Sequence, residues 1–101
     1  EHFNVIQPLS DRNVLVRLQN NIKIQALGAG NKERAIEILQ SINLITPFNL
    51  EFLSELAVLE ASRGHINSAV GRLERFIELN PNKRDVSKIK DLKEKLNRNL
   101  N

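Results

Sequence analysis

The chain repeats itself, and this repetition limits the folds open to it more than any other feature. Gly30 returns as Gly64 and Pro47 returns as Pro81, an offset of 34 positions in both cases. Apolar residues match at the same offset: Leu18 with Phe52, Ile22 with Leu56, Ala35 with Ala69, Ile36 with Val70, Leu39 with Leu73, Ile42 with Phe76, and Ile45 with Leu79. A fixed period of this length predicts two copies of one supersecondary unit that stack to bury a shared core.

Apolar spacing predicts two helices in the first copy. Steps of three and four residues predict an amphipathic helix that Ser10 or Asp11 caps and Gly30 ends. Its predicted buried stripe comprises Val14, Leu15, Leu18, Ile22, Ala26 and Ala29. The second helix follows Asn31, which can cap it, and stops before Pro47, which has no N–H to continue it. Its predicted buried residues are Ala35, Ile38, Leu39 and Ile42.

The second copy repeats this arrangement, with one helix from Asn49 to Arg63 and another from Asn67 to Leu79. Its predicted buried residues are Leu53, Leu56, Ala57, Ala69, Val70, Leu73, Phe76 and Ile77. A fifth helix, about Asp85 to Leu100, carries one narrow apolar stripe of Val86, Ile89, Leu92, Leu96 and Leu100. Such a one-sided helix is typical of the cap that closes a stack of repeats. The predicted fold class is therefore all-α.

The pattern resembles the tetratricopeptide repeat, a helix–turn–helix unit with Leu, small, Gly, Ala, large apolar and Pro positions. The second copy supplies Leu56, Ala57, Gly64, Ala69, Leu73, Phe76 and Pro81, and the first supplies Ile22, Gly30, Ala35, Leu39, Ile42 and Pro47. The sequence departs at Lys23, where a small residue is usual, and at Ala26 and Glu60, where an aromatic residue is expected. The resemblance implies a short right-handed α-solenoid. Its parts would be a leading segment at 1–10 and a domain at 11–101, with repeats at about 15–48 and 49–82 and a capping helix at about 85–100.

A narrower resemblance covers the start of the repeats. "RLQNNIK", from Arg17 to Lys23, lies within "PLSDRNVLVRLQNNIKIQALGAGNKERAIEIL". This stretch is similar to the join between a transglutaminase-like region and tetratricopeptide repeats in a bacterial (SirB-type) family. The resemblance implies that the chain is the C-terminal part of a larger bacterial protein. The family's papain-like catalytic residues would lie upstream, and none corresponds to a position in this chain.

Few residues of the chain could support catalysis. It contains no Cys and only two His, with His2 near the start and His65 in a turn. Its carboxylates are expected on exposed helix faces, and no Gly-rich phosphate loop or metal-ligand cluster occurs. No apolar run is long enough to span a bilayer, and the sequence shows no signal-peptide pattern. We therefore expect a cytoplasmic protein that is not an enzyme, needs no cofactor or metal, and does not enter a membrane.

The positive charge is concentrated at the C-terminal end. The net charge is +3, and residues 83–101 alone carry seven Lys/Arg against three Asp/Glu. Possible phosphate contacts are Lys83, Arg84, Lys88, Lys90, Lys93, Lys95 and Arg98. Acidic residues interrupt this set, and the segment has no aromatic side chain for base stacking. We therefore expect a solvated helix face here and do not expect nucleic acid to be the partner.

The favoured function is binding of a protein or peptide. Stacked helix pairs form a concave surface lined by the first helix of each pair. In the tetratricopeptide geometry that surface would include Arg17, Asn20, Asn21, Ile24, Glu51, Ser54, Glu55 and Val58. The two asparagines can hydrogen-bond to a peptide backbone, and Arg17 can pair with a carboxylate. The Lys/Asn clamp that some members use for a C-terminal carboxylate is not evident, because Ile24 occupies one of its Asn positions.

Two alternatives remain open from the sequence. The concave face could pack on an upstream domain, which would make the chain a regulatory or structural appendage of a transglutaminase-like enzyme. Phe3, Val5 and Ile6 could cover the first helix, or a second copy of the chain could do so. A homodimer is therefore also open.

Overall fold

The computed structural model describes residues 8–98, which form five α-helices and contain no β-strand. The helices are α1 (Pro8–Gly28), α2 (Lys32–Ile45), α3 (Leu50–Ser62), α4 (Ile66–Leu79) and α5 (Lys83–Arg98). The predicted all-α class with five helices is confirmed for this range. The last helix begins two residues earlier than predicted, because the Asn82 side chain accepts a hydrogen bond from the backbone N–H of Asp85 at 3.1 Å. Leu100, which we placed in this helix, lies outside the described residues.

The turns within the two hairpins are built in the same way. Gly30 and Gly64 have φ values of 77° and 87°, in the left-handed region that glycine adopts without steric cost. In the first turn, the N–H of Asn31 donates to the carbonyl of Ala26 at 2.8 Å. In the second, the N–H of His65 donates to the carbonyl of Glu60 at 2.8 Å. This glycine-dependent motif reverses the chain after α1 and after α3, as the sequence predicts.

The five helices pack mainly on their neighbours in the chain. α1 packs on α2 and α3 packs on α4 as two hairpins, α2 also packs on α3, and α5 packs on both α4 and α3. The α2–α3 cluster comprises Ile36, Ile38, Leu39, Ile42 and Leu56. The α3–α5 cluster comprises Leu53, Ala57, Ala69, Leu73, Phe76, Ile89 and Leu96. The second hairpin therefore has core on both sides, whereas α1 lies at one edge.

The predictions for α1 are wrong in two respects. The helix runs from Pro8, so Ser10 and Asp11 lie inside its first turns and do not cap it. A proline is compatible with a first helical turn, where its missing N–H is not needed. Four aliphatic residues predicted to be buried are 43–55% exposed, and we call them the α1 stripe: Val14, Leu15, Leu18 and Ile22. Of the remaining two predicted residues, Ala26 is buried and Ala29 is exposed.

The buried face of α1 lies beside the stripe. Val16 packs against the α2–α3 cluster, and Lys23 is only 5% exposed. Among the described helices, α2 is the one whose backbone approaches that of α1. One neighbour covers one face, so the rest of an apolar helix surface stays open.

Candidate functional site

An open groove separates α1 from α3, which belong to different hairpins. In the described part of the chain, no Cα atom of α1 lies within 8 Å of a Cα atom of α3, so side chains alone span the gap. The lining of this α1–α3 groove comprises Asn20, Lys23, Leu50, Glu51, Phe52, Ser54, Glu55 and Val58. Amide, hydroxyl, carboxylate and apolar groups therefore face one concave surface.

A salt bridge crosses the groove. The Lys23 Nζ lies 2.7 Å from both carboxylate oxygens of Glu55. It also lies 5.7 Å from the centroid of the Phe52 ring, within the range of a cation–π interaction. The Lys23 side chain is 6% exposed and that of Glu55 is 39% exposed, so the pair has a buried cation and a partly hydrated anion. This pair links α1 to α3 where their backbones do not meet.

The structure brings five of the eight predicted site residues together in this groove. Asn20 enters from α1, and Glu51, Ser54, Glu55 and Val58 enter from α3. The other three, Arg17, Asn21 and Ile24, are exposed on α1 outside the lining. Arg17, Asn20, Asn21 and Ile24 are spaced three and four residues apart, so they share one face of the helix beside the groove.

The side chain of Asn20 has an unsatisfied atom. Its Oδ1 is shielded from solvent and accepts no hydrogen bond within residues 8–98. A buried acceptor without a donor destabilises a fold by about 1–3 kcal/mol. A bound molecule could supply the missing donor if the Asn20 amide rotates to bring this oxygen to the groove surface.

Sequence reasoning missed a buried acidic residue. Glu60 is 2% exposed, and its carboxylate accepts hydrogen bonds from Arg72 at 2.9 and 3.1 Å and from the Gln40 amide at 3.3 Å. Our prediction that the carboxylates lie on exposed faces is therefore wrong for Glu60. Its position three residues after Ala57, in the buried register of α3, was the available signal. Because both oxygens are engaged, the network joins α2, α3 and α4 and offers no free base.

A second concave surface was also missed. The Phe48 cleft lies where α2 ends, α3 begins and α4 ends, and it is lined by Asn43, Leu44, Pro47, Phe48, Leu53, Arg72, Arg75, Phe76 and Leu79. Leu44, Phe48 and Leu79 are 83%, 50% and 59% exposed. The signal in the sequence was the presence of large apolar residues outside the predicted core registers.

Three further features of the described residues concern basic side chains, metal ligands and helix hydrophobicity. Most basic residues of α5 are exposed, while Lys93 pairs with Glu74 of α4 at 3.1 Å. Within residues 8–98, no group of three His, Asp or Glu side chains comes together in a way that could hold a metal ion. None of the described helices is both long enough and apolar enough to cross a membrane.

Comparisons of the chain with protein-family models, with curated proteins and with solved structures each find no match. The tetratricopeptide resemblance therefore stays a prediction. The groove, the cleft and their side chains are the observations from which a function can be proposed.

Proposed function

We propose that the chain is a non-catalytic protein–protein interaction module whose α1–α3 groove binds an extended segment of a protein partner. The observation that carries this proposal is that residues from two separate hairpins line one open groove. The proposed architecture is a short right-handed solenoid of two tetratricopeptide-like repeats with α5 as its cap. The 34-residue offset and the matching turns at Gly30 and Gly64 support it. The proposed setting is the C-terminal part of a cytoplasmic bacterial protein.

The chemistry of the groove suits a peptide. The Asn20 amide, the Ser54 hydroxyl and the Glu51 carboxylate can exchange hydrogen bonds with a backbone. Val58 in the lining and Ile24 beside it on α1 are 48% and 54% exposed and offer apolar contact. Lys23 and Glu55 neutralise each other, which leaves Glu51 as the remaining charged side chain of the lining. Arg17, on the same face of α1, can pair with a carboxylate at the rim.

The test is a selection of peptides followed by matched variants. Peptides of twelve residues selected from a random library on the chain should lose about tenfold in affinity with Val58→Arg or Asn20→Ala, because a hot-spot contact is worth at least about 1.4 kcal/mol. Lys88→Ala on α5 is the control and should leave affinity unchanged. Fluorescence anisotropy measures each value. If the affinity of the selected peptides is the same for both groove variants as for the unmodified chain, the groove is not the binding site.

A second candidate function has one observation in its favour. The α1 stripe is an aliphatic surface that another domain of a larger protein could cover, and this would make the chain an appendage of a transglutaminase-like enzyme. Hydrogen exchange on the longer protein would then show slower exchange of the α1 amides than in this chain alone. Equal exchange rates in the two would leave the interaction module as the proposal.

A further inference from the structure

The Phe48 cleft is an apolar surface with a one-sided charge. Its exposed members, Leu44, Phe48 and Leu79, come from α2, from the turn after it and from the end of α4. The rings of Phe48 and the buried Phe76 pack in a T-shaped arrangement, with centroids 5.9 Å apart and an interplanar angle of 64°. This contact holds one side of the Phe48 ring in place, and the residue is 50% exposed. The cleft is therefore a preformed apolar surface to which a side chain of a partner could bind.

The lining contains two arginines and no carboxylate. The Arg72 guanidinium is engaged by the buried Glu60. Arg75 is exposed, and none of the ion pairs within residues 8–98 involves it. An exposed arginine beside an apolar cleft presents a planar fork of donors that fits a carboxylate. The charge of the cleft therefore favours an acidic occupant.

An unsatisfied polar atom lies in the same cleft. The Oδ1 of Asn43 is shielded from solvent and accepts no hydrogen bond within residues 8–98. Rotation of this amide would place its NH₂ or its oxygen against a backbone brought into the cleft. Asn43 and Arg75 therefore provide two polar contacts beside the apolar ones.

We propose that the Phe48 cleft docks a short acidic amphipathic segment of a protein partner. The segment places large apolar side chains on Leu44, Phe48 and Leu79 and a carboxylate on Arg75. A second copy of the chain fits less well. A two-fold contact through this cleft would bring the arginines of one cleft towards those of the other, and like charges in a closed interface oppose association. This site is separate from the α1–α3 groove and does not depend on the function proposed for that groove.

The test uses one designed peptide and two altered forms of it. The probe is a fluorescein-labelled peptide of fourteen residues, with Leu and Phe one helical turn apart and Glu on both flanks. One altered form has Lys in place of each Glu, and the other has Ser in place of Leu and Phe. We expect only the acidic amphipathic form to bind the unmodified chain. Arg75→Glu should weaken it by about tenfold and make the Lys form the tighter ligand, as expected for a reversed charge pair.

The matched control is Arg12→Glu, which reverses an exposed arginine on α1, far along the chain from the cleft. It should change the affinity by less than about twofold, because an isolated surface charge contributes little. Leu44→Ser, at the most exposed apolar side chain, should weaken binding through lost apolar contact. Circular dichroism and melting curves establish that each variant keeps its helices.

Amide shift mapping with the acidic peptide separates the cleft from the groove. We expect shifts at residues 43–48, at Leu53 and at residues 75–79, and none at Asn20, Lys23 or Val58 of the groove. Absence of binding, shifts confined to Asn20, Lys23 and Val58, or tighter binding of a single-stranded oligonucleotide than of the peptide would overturn the proposal. Light scattering provides a further check. A dimer that Leu44→Ser dissociates would assign the cleft to a second copy and would also overturn it.

Discussion

Helix α3 lies between α5 on one side and α1 on the other, and the two interfaces are built differently. We call the α3–α5 interface the closed joint and the α1–α3 interface the open joint. Towards α5, Ala57 is fully buried in one apolar cluster with Ile89 and Leu96. Towards α1, the position 34 residues earlier holds Lys23, and the two backbones stay apart. A methyl group permits close helix packing, whereas a lysine occupies the space and needs an anion. The residue at this repeat position, Ala57 in α3 and Lys23 in α1, therefore distinguishes the closed α3–α5 seam from the open α1–α3 groove.

The difference bears on function and on stability. The closed seam gives α3, α4 and α5 a common core. The open joint leaves α1 held by α2 and by the Lys23–Glu55 pair, with its aliphatic stripe in solvent. Regions with few buried apolar contacts open at lower free energy than packed ones. α1, which forms one wall of the groove, contributes no buried residue to either apolar cluster and is expected to open at lower free energy than α3.

The largest expected effect comes from transferring the lysine to the closed joint. Ala57→Lys would force a long side chain into a filled site and bury a charge without a partner. We expect a loss of about 4 kcal/mol or more in the free energy of unfolding, which is a large fraction of the stability of a domain this size. Urea denaturation followed by circular dichroism measures it. A loss below about 1 kcal/mol would mean that the α3–α5 seam opens as readily as the α1–α3 groove.

The second effect concerns the buried acid of the second hairpin. Position 26 in the first hairpin holds alanine where the second holds Glu60, so only the second hairpin has a buried carboxylate at this position that needs a cation. Arg72→Ala leaves that carboxylate with the Gln40 amide alone, and we expect a loss of about 3 kcal/mol. Urea denaturation of Arg72→Ala beside Arg72→Ala/Glu60→Leu checks the cause. The double variant should recover most of the loss, and equal stability of the two would assign the effect to the arginine stem.

The helix boundaries and the second hairpin were largely predictable, and the reason is local. Gly64 and Pro81 are residues that strongly favour the end of a helix. Leu53, Leu73 and Phe76 lie at helix positions that face neighbouring helices on both sides of the hairpin. The face of α1 could not be predicted in the same way. Its apolar residues extend around more of the helix than one partner covers, and periodicity does not say which arc receives that partner.

The sequence predicted which faces of α1 and α3 form the candidate site. It did not predict the contacts between side chains of different helices. The tetratricopeptide geometry put Asn20, Ser54 and Val58 on one concave surface, and all three line the α1–α3 groove. The salt bridge between Lys23 and Glu55 was missed, because it depends on the separation of two helices, which no local pattern encodes. The Phe48 cleft was missed for a similar reason, since its residues meet only after three helices have packed.

A smaller effect is expected at the open joint itself. Lys23→Met keeps the apolar stem and removes the charge, leaving Glu55 to be hydrated at the rim. We expect a loss of about 1 kcal/mol or less, as for other pairs with an exposed partner. In 1 M NaCl the gap between variant and unmodified chain should shrink, because salt screens the pair. Urea denaturation at two salt concentrations gives the comparison. A difference in the free energy of unfolding that does not change with salt would assign the effect to packing.

The smallest effect tests whether the α1 stripe is open in solution. Ile22→Gln and Leu56→Gln alter positions 34 residues apart, where Ile22 is 43% exposed and Leu56 is fully buried. We expect a change within about 0.5 kcal/mol for the first, because surface substitutions rarely exceed that. For the second we expect a loss of several kcal/mol, because it buries an amide.

Urea denaturation at two protein concentrations separates the causes if Ile22→Gln proves costly. A loss of about 2 kcal/mol that grows with concentration would mean that a second copy covers the stripe. The same loss at both concentrations would assign the cover to the chain itself. Phe3, Val5 and Ile6, which lie outside the described residues, are the side chains that the sequence offers for that role. In either case the aliphatic stripe of α1 would be covered. The α1–α3 groove would then be the open surface of α1 that distinguishes it from the closed α3–α5 joint.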